Sequence, residues 1–231
     1  MIDPIDATKT LLFQDNDFVD VMFNPSMRQN YYVGASGGSN KIRYAGGIGY
    51  TDDNGVSLQT GWKQFSARAN TDISISEKLN LSTGIDFYEN NTEAYDSQGN
   101  AISRGLYCPP TQKLYNEDGT PTSGFNSTAT NPLWWVDNHK GSSVKQGINV
   151  TAKLDYHLSK HILATASAYR YVATTQSDAF QKANVFDGSR PSESSFSQTG
   201  RSQYEGLLNY SNSFQKHSIS AMAGVSYLDE T

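Results

Sequence analysis

The stretch KIRYAGGIGYTD, residues 41–52, decides the fold. Its even positions Ile42, Tyr44, Gly46, Ile48 and Tyr50 are apolar or flat, and its odd positions Arg43, Ala45, Gly47, Gly49 and Thr51 are small or polar. A period of two is the signature of a β-strand with one apolar face and one wet face. Just upstream, Tyr31, Val33 and Ala35 alternate with Asn30, Tyr32, Gly34 and Ser36. Between the two runs stand Gly37, Gly38, Ser39 and Asn40, residues that tolerate positive φ and make tight turns. The pattern predicts a hairpin.

The same pattern recurs downstream. Phe65, Ala67, Ala69, Thr71, Ile73 and Ile75 alternate with polar partners, and after a turn at 76–78 so do Leu79, Leu81, Thr83, Ile85 and Phe87. Ile148, Val150, Ala152, Leu154 and Tyr156 form another apolar set. In the strand that follows, the expected apolar face is Leu163, Thr165, Tyr169 and Tyr171, because Arg170 belongs on the wet side. The last pair carries Tyr204, Gly206, Leu208 and Tyr210, then Ile219, Ala221, Ala223, Val225 and Tyr227.

These runs predict an all-β fold: an antiparallel transmembrane β-barrel segment of about eight strands, each near the ~9–11 residues that cross a bilayer at barrel tilt. Connections alternate between a few residues (37–41, 76–79, 158–161, 214–217) and longer polar segments (52–62, about 90–143, about 175–202). Short turns on one side and long loops on the other are the outer-membrane pattern, which places the long loops outside the cell.

Composition agrees. Of 231 residues only 36% are hydrophobic, yet 12% are aromatic, with 14 Tyr and 19 Gly. A lipid-facing set alternating with a wet set keeps average hydropathy low in such a protein. Disordered chains are poor in aromatics, so disorder fits badly. The net charge of −5 provides no basic stripe for nucleic acid. A lone cysteine, Cys108, excludes an internal disulfide, and no apolar run is long enough for a transmembrane helix. The opening residues MIDPIDATKT lack a basic segment followed by an apolar one, so no secretory signal is read there. Residues 1–26 do not alternate; within them 15–23 predict a short amphipathic helix entering the first strand from outside. The expected division is thus 1–26, an extracellular loop with a short helix, and 27–231, the barrel.

No enzyme is predicted. His139, His157, His161 and His217 lack metal-ligand spacing, Cys108 has no nearby base, and Asp155 and Glu205 have no partner implied by spacing. No cofactor and no metal are expected. The runs 52–55 and 116–119 carry turn chemistry first, with calcium in the outer loop as the lesser reading. In the loop at 90–143, Tyr107, Tyr115, Phe125, Trp134 and Trp135 stand in a polar surround. The plainer reading packs Trp134 and Trp135 on the barrel rim or in the interfacial belt. The sharper one makes Tyr107, Tyr115, Trp134 and Trp135 contacts for a protein partner or a ligand. Arg43, Arg68, Asp72, Asp86 and Lys153 are expected to face the lumen.

Two longer segments carry a family resemblance. Asp17–Phe23 is followed by Arg28–Gly38, Lys41–Tyr44, Gly49–Val56 and Phe65–Asp72; Leu207–Tyr210, Phe214 and Lys216–Ala221 match more loosely. In this order they resemble the early barrel of SusC/RagA-type TonB-dependent transporters of Bacteroidetes. That resemblance implies eight early strands of a 22-stranded barrel, beginning after the first strand, without the plug domain or a TonB-contacting segment. It also implies an outer-membrane location, with lipid around the wall. Glycan or peptide import would run with a SusD-like surface lipoprotein, TonB acting through a missing N-terminal region. Two alternatives stay open: a complete small eight-stranded barrel acting as an adhesin or structural protein, and a soluble β-rich carbohydrate-binding module. Pairing of the first and last strands would favour the former; a second sheet packed on the apolar face would favour the latter.

Overall fold

The computed structural model describes residues 7–9, 15–94, 98–127, 129–183 and 188–231; parts of the 1–26 segment and of the 90–143 loop fall outside them. Eight strands form one antiparallel sheet in sequence order: β1 (Arg28–Gly38), β2 (Ile42–Asn54), β3 (Gly61–Ser76), β4 (Leu79–Ala94), β5 (His139–Ser159), β6 (Ile162–Gln181), β7 (Ser192–Phe214) and β8 (His217–Glu230). β1 pairs only with β2 and β8 only with β7, so the sheet is open. Three helices lie outside it: α1 (Phe18–Met22), α2 (Gln98–Tyr107) and α3 (Pro132–Asn138).

Register fixes the faces. One row of directly opposed residues runs Ile42–Ile73–Leu81–Leu154–Ala166–Gly206–Val225 from β2 to β8. The row one residue along runs Arg43–Asp72–Ser82–Lys153–Ser167–Glu205–Ser226. Opposed residues share a face and neighbours along a strand do not, so one face is apolar across the whole sheet and the other is polar. Among the described residues nothing covers the apolar face. Val33 is 70% exposed, Tyr204 54%, Val225 73% and Tyr227 62%. A band this wide and bare fits lipid and not water. It removes the soluble-module reading, which needs a second sheet there. The open edges remove the closed eight-stranded barrel.

Strand β6 corrects one expectation. Val150 opposes Arg170 and Ile148 opposes Val172, so the apolar face of β6 is Ala164, Ala166, Ala168, Arg170 and Val172. Leu163, Thr165, Tyr169 and Tyr171 lie on the polar face. Alanines carry little apolar signal, while tyrosines suit either face, and a single arginine weighed too heavily. On the polar side Tyr169 donates to Asn149 Oδ1 at 2.8 Å, and the Tyr171 and Tyr88 hydroxyls meet at 3.0 Å.

Several strands also outrun their alternation. β5 begins at His139, β6 continues to Gln181 and β7 begins at Ser192, inside segments expected to be loops. Where a strand leaves the bilayer both faces are wet, and Ser, Gln and Thr serve on either.

The register also gives the lean of the strands. The polar row meets the β1–β2 turn at Arg43, but lies four residues from the turn at Ser76, six from that at Ser159 and nine from that at Phe214. Nine residues at ~3.3 Å, against six strand spacings of ~4.8 Å, put the line of turns at about 45° to the strands. That is the tilt of a membrane barrel wall.

Candidate functional site

The site has two parts, a polar wall and a cap on the long-loop side. All five residues expected to line a lumen, Arg43, Arg68, Asp72, Asp86 and Lys153, lie on the polar face. Arg68 and Asp86 oppose each other on β3 and β4 and form an ion pair. Asp72 accepts from Ser82 at 2.6 Å and stands beside Arg43 in register. Lys153 reaches Asp155 at 2.8 Å, and Asp155 also accepts from Thr165 at 2.6 Å. Toward the long loops Arg28 pairs with Asp53 at 3.7 Å and lies 6.0 Å from the Trp62 ring, while Arg201 pairs with Glu230 at 3.4 Å. Cation and anion thus neighbour one another along the wall, which holds a hydrated surface without a strong field of one sign.

Two tyrosines lie over glycines on this face. The tip of the Tyr32 ring covers the opposed pair Gly34 and Gly47, where any Cβ would strike it. Tyr88 covers Gly147 in the same way. Both rings lie along the wall and not out from it, which leaves the face low.

The cap is assembled from three separate segments. Asp17 caps α1 by accepting from the Val19 and Asp20 amides, and α1 buries Phe18 and Met22. Met22, Ala101 of α2 and Val136 of α3 form a small core, closed by Leu58 from the β2–β3 loop and by Trp135. Asn16 ties the N-terminal segment to the β4–β5 loop through Pro110 O (3.0 Å, backbone) and Gln112 O (2.8 Å, side chain). Asn131 caps α3 by accepting from the Leu133 amide at 3.0 Å and donates to Leu114 O at 2.7 Å. Among the aromatics singled out in the sequence, Trp135 packs inside the cap and Trp134 is half-buried. Tyr107 (77%), Tyr115 (47%) and Phe125 (64%) are exposed. The structure therefore divides that group rather than gathering it into one cluster.

Arg104 and His139 had no sequence signal. The Arg104 guanidinium stacks on Trp135 and donates to Ser127 O and to Thr130 Oγ1. His139, fully buried, donates from Nδ1 to Trp135 O, 2.9 Å away. Cys108 is buried and donates to Thr130 O at 3.1 Å; burial pushes its thiol pKa up, away from the reactive range. The 116–119 run is a turn: Asn116 N donates to Thr120 O, Gly119 takes a φ of +81°, and Asp118 accepts from Thr120. Among the described residues no group of three acidic, histidine or cysteine side chains is placed to hold a metal.

No family model matches the chain. A stretch of 121 residues is 29% identical to the TonB-dependent receptor P26 of Formosa agariphila, covering 52% of this chain and 12% of that protein. Another of 131 residues is 30% identical to the TonB-dependent receptor SusC of Bacteroides thetaiotaomicron, over 52% of this chain and 13% of that protein. The chain thus spans only about an eighth of the length of these relatives. Among solved structures it superposes on the RagAB peptide importer in its closed-closed state with a TM-score of 0.82, at 20% identity, over 96% of this chain and 27% of that one. FpvA of P. aeruginosa, solved with pyoverdines, follows with a TM-score of 0.59 at 12% identity, over 88% of this chain and 26% of that one.

Proposed function

We propose, from the premise that this chain is a stretch of the barrel of a SusC/RagA-type TonB-dependent transporter, that it is wall and cap of an outer-membrane nutrient importer. The observation that carries this is the bare apolar band that runs across one face of the strands on their short-turn side, backed by a charged, hydrated face. A wall of this kind satisfies every backbone group through its neighbours, as the hydrocarbon requires. The polar face, with Arg43, Arg68, Asp72, Asp86 and Lys153, borders the lumen. Energy coupling through TonB belongs to other parts of the transporter.

The cap is rigidly tied to the wall and bears Tyr107 and Tyr115 outward. These aromatics are the contact points for a SusD-like surface lipoprotein, with Trp134 and Trp135 supporting them from beneath. The cargo is an oligosaccharide or a peptide. The resemblance to SusC/RagA-type transporters implies either, and the RagAB neighbour is a peptide importer.

Single cysteines at Ile85 and Asp86, placed in the complete receptor, test the wall. Ile85→Cys should react with a lipid-confined probe and Asp86→Cys only with a water-soluble one; the reverse would reject this orientation. Cells lacking the receptor should lose growth on one class of nutrient, oligosaccharide or peptide. Unchanged growth and uptake on both would reject the importer.

A further inference from the structure

The apolar face gives way to polar residues toward the long-loop side, at Glu89 and Gln146 on β4 and β5 and at Arg170 on β6. The register row Gly46–Ala69–Ile85–Val150–Arg170–Ser202–Asp229 begins apolar on β2 and ends polar on β6 to β8. Arg170 is exposed on the lipid side, between Ala168 and Val172 along its strand and beside Val150 across it. A charge on the lipid side of a barrel costs ~2–4 kcal/mol at the bilayer midplane and little near the interface. The height of Arg170 therefore matters. It stands eight residues beyond Ile162, which follows a short turn; at ~3.3 Å per residue and the tilt found above, that is about 19 Å above the turns. Ser202 and Asp229 follow in the same register row, each step of ~4.8 Å on strands leaning at this angle adding ~3.4 Å, so they stand at about 22 and 26 Å. Arg170 donates to Ser202 Oγ at 2.5 Å, so its guanidinium is drawn toward the headgroup level.

Directly below lies a furrow of about 480 Å³ in the same face. Its floor is Ala152, Ala166, Ala168 and Gly206. Leu81 and Leu154 wall one side, and Tyr204, Val225 and Tyr227 the other, the two tyrosine rings being stacked 6.5 Å apart. The furrow is apolar and is lined on β6 by Ala166 and Ala168, the latter two residues below Arg170 on the same face. Asp229, across Ser202 from it, adds a carboxylate about 7 Å higher, nearer the headgroups.

We propose that this part of the wall holds one lipid bearing a phosphoethanolamine headgroup. An acyl chain lies in the furrow, the guanidinium of Arg170 binds the phosphate, and Asp229 accepts from the ammonium. Charge complementarity selects that headgroup. A purely anionic lipid would satisfy Arg170 and meet repulsion from Asp229, and a phosphocholine has no N–H to give the carboxylate. The assignment rests on the barrel-wall reading, since only a wall presents this face to lipid.

Native mass spectrometry of the complete receptor, released from bilayers of phosphatidylethanolamine, phosphatidylglycerol and phosphatidylcholine, tests it. One phosphatidylethanolamine should stay bound to the wild type. Arg170→Gln should lose it, and so should Ala168→Leu, which fills the furrow without touching either charge. Asp229→Asn should lower the preference for phosphatidylethanolamine over phosphatidylglycerol at least tenfold. Equal retention by wild type, R170Q and A168L would overturn the site, as would an Arg170-dependent pairing of receptors with no lipid retained. Failure of the wall reading shows separately, as a receptor that does not partition with the outer membrane, and overturns both.

Discussion

The guanidinium carbon of Arg104 lies 3.6 Å from the centre of the Trp135 ring, and that ring lies 3.7 Å from the imidazole of His139. This stack joins α2, α3 and the first residue of β5, and through β5 it fixes the cap to the wall. A cation over an indole contributes ~1–2 kcal/mol when partly desolvated.

Trp135→Ala should therefore loosen the cap by about 3 kcal/mol, the stack and the buried ring being lost together. Amide hydrogen exchange should rise across 98–138 and stay low in β2 to β7. Uniform exchange through the strands would show that cap and wall unfold as one unit.

Burying charge on the wrong face should separate two neighbouring residues of β5. Val150 opposes Ile85 on the apolar face, and Asn149 opposes Asp86 on the polar one. Val150→Lys, level with Arg170 and above the midplane, is expected to cost ~1–2 kcal/mol in urea unfolding from lipid vesicles. Asn149→Lys should shift that midpoint hardly at all. Equal effects would mean that the faces are not lipid and water.

Two glycines should respond oppositely to alanine. Gly124 has a φ of +94°, and an added Cβ would fall 2.5–2.7 Å from the backbone of 129–131. Gly124→Ala should open the cap by more than ~2 kcal/mol, since neither the strain nor the clash can relax cheaply. At Gly147 the obstacle is the far end of Tyr88, a side chain held there by its hydroxyl contact with Tyr171 and able to move aside at the loss of that contact. Gly147→Ala should leave stability nearly unchanged and raise the solvent accessibility of Tyr88. Selective tyrosine nitration reads the second effect and thermal scans the first.

The Cys108 thiol carries a pH signature. Burial raises its pKa above the ordinary 9.0. When unfolded, it loses its proton near that ordinary value, while the folded form still holds it. The unfolded cap then binds fewer protons, so cap stability falls as pH rises past about 9. Thiol labelling at pH 7–8 should be slow, should match the rate of cap opening, and should accelerate in Trp135→Ala. Fast labelling of the native protein at pH 7 would contradict the buried position.

How far the sequence could be read depended on what each residue type reports. Ile42, Ile48, Ile85, Val150 and Leu154 announce a face by themselves, and strands built from them were legible. Alanines 164, 166 and 168 announce nothing, so Arg170 and the tyrosines decided β6 and pointed the wrong way. Helix α3 had a legible start in Asn131 followed by Pro132, a cap and a first-turn proline. Helix α2 carries Gly99 and Gly105 and has none. That Arg43, Arg68, Asp72, Asp86 and Lys153 share the polar face followed from alternation alone. The stack of Arg104, Trp135 and His139 joins positions far apart in the chain, and no local pattern could have joined them.

The lean of the strands decides how much rim these eight can cover. At about 45° each strand takes about 7 Å of circumference, so the eight account for about 54 Å. Bent into a ring of their own they would be about 17 Å across, backbone to backbone, and side chains from opposite sides would fill it. A sugar chain or a peptide needs a wider circle. For the proposed importer these strands therefore serve as an arc of a larger ring, whose aperture they do not set alone.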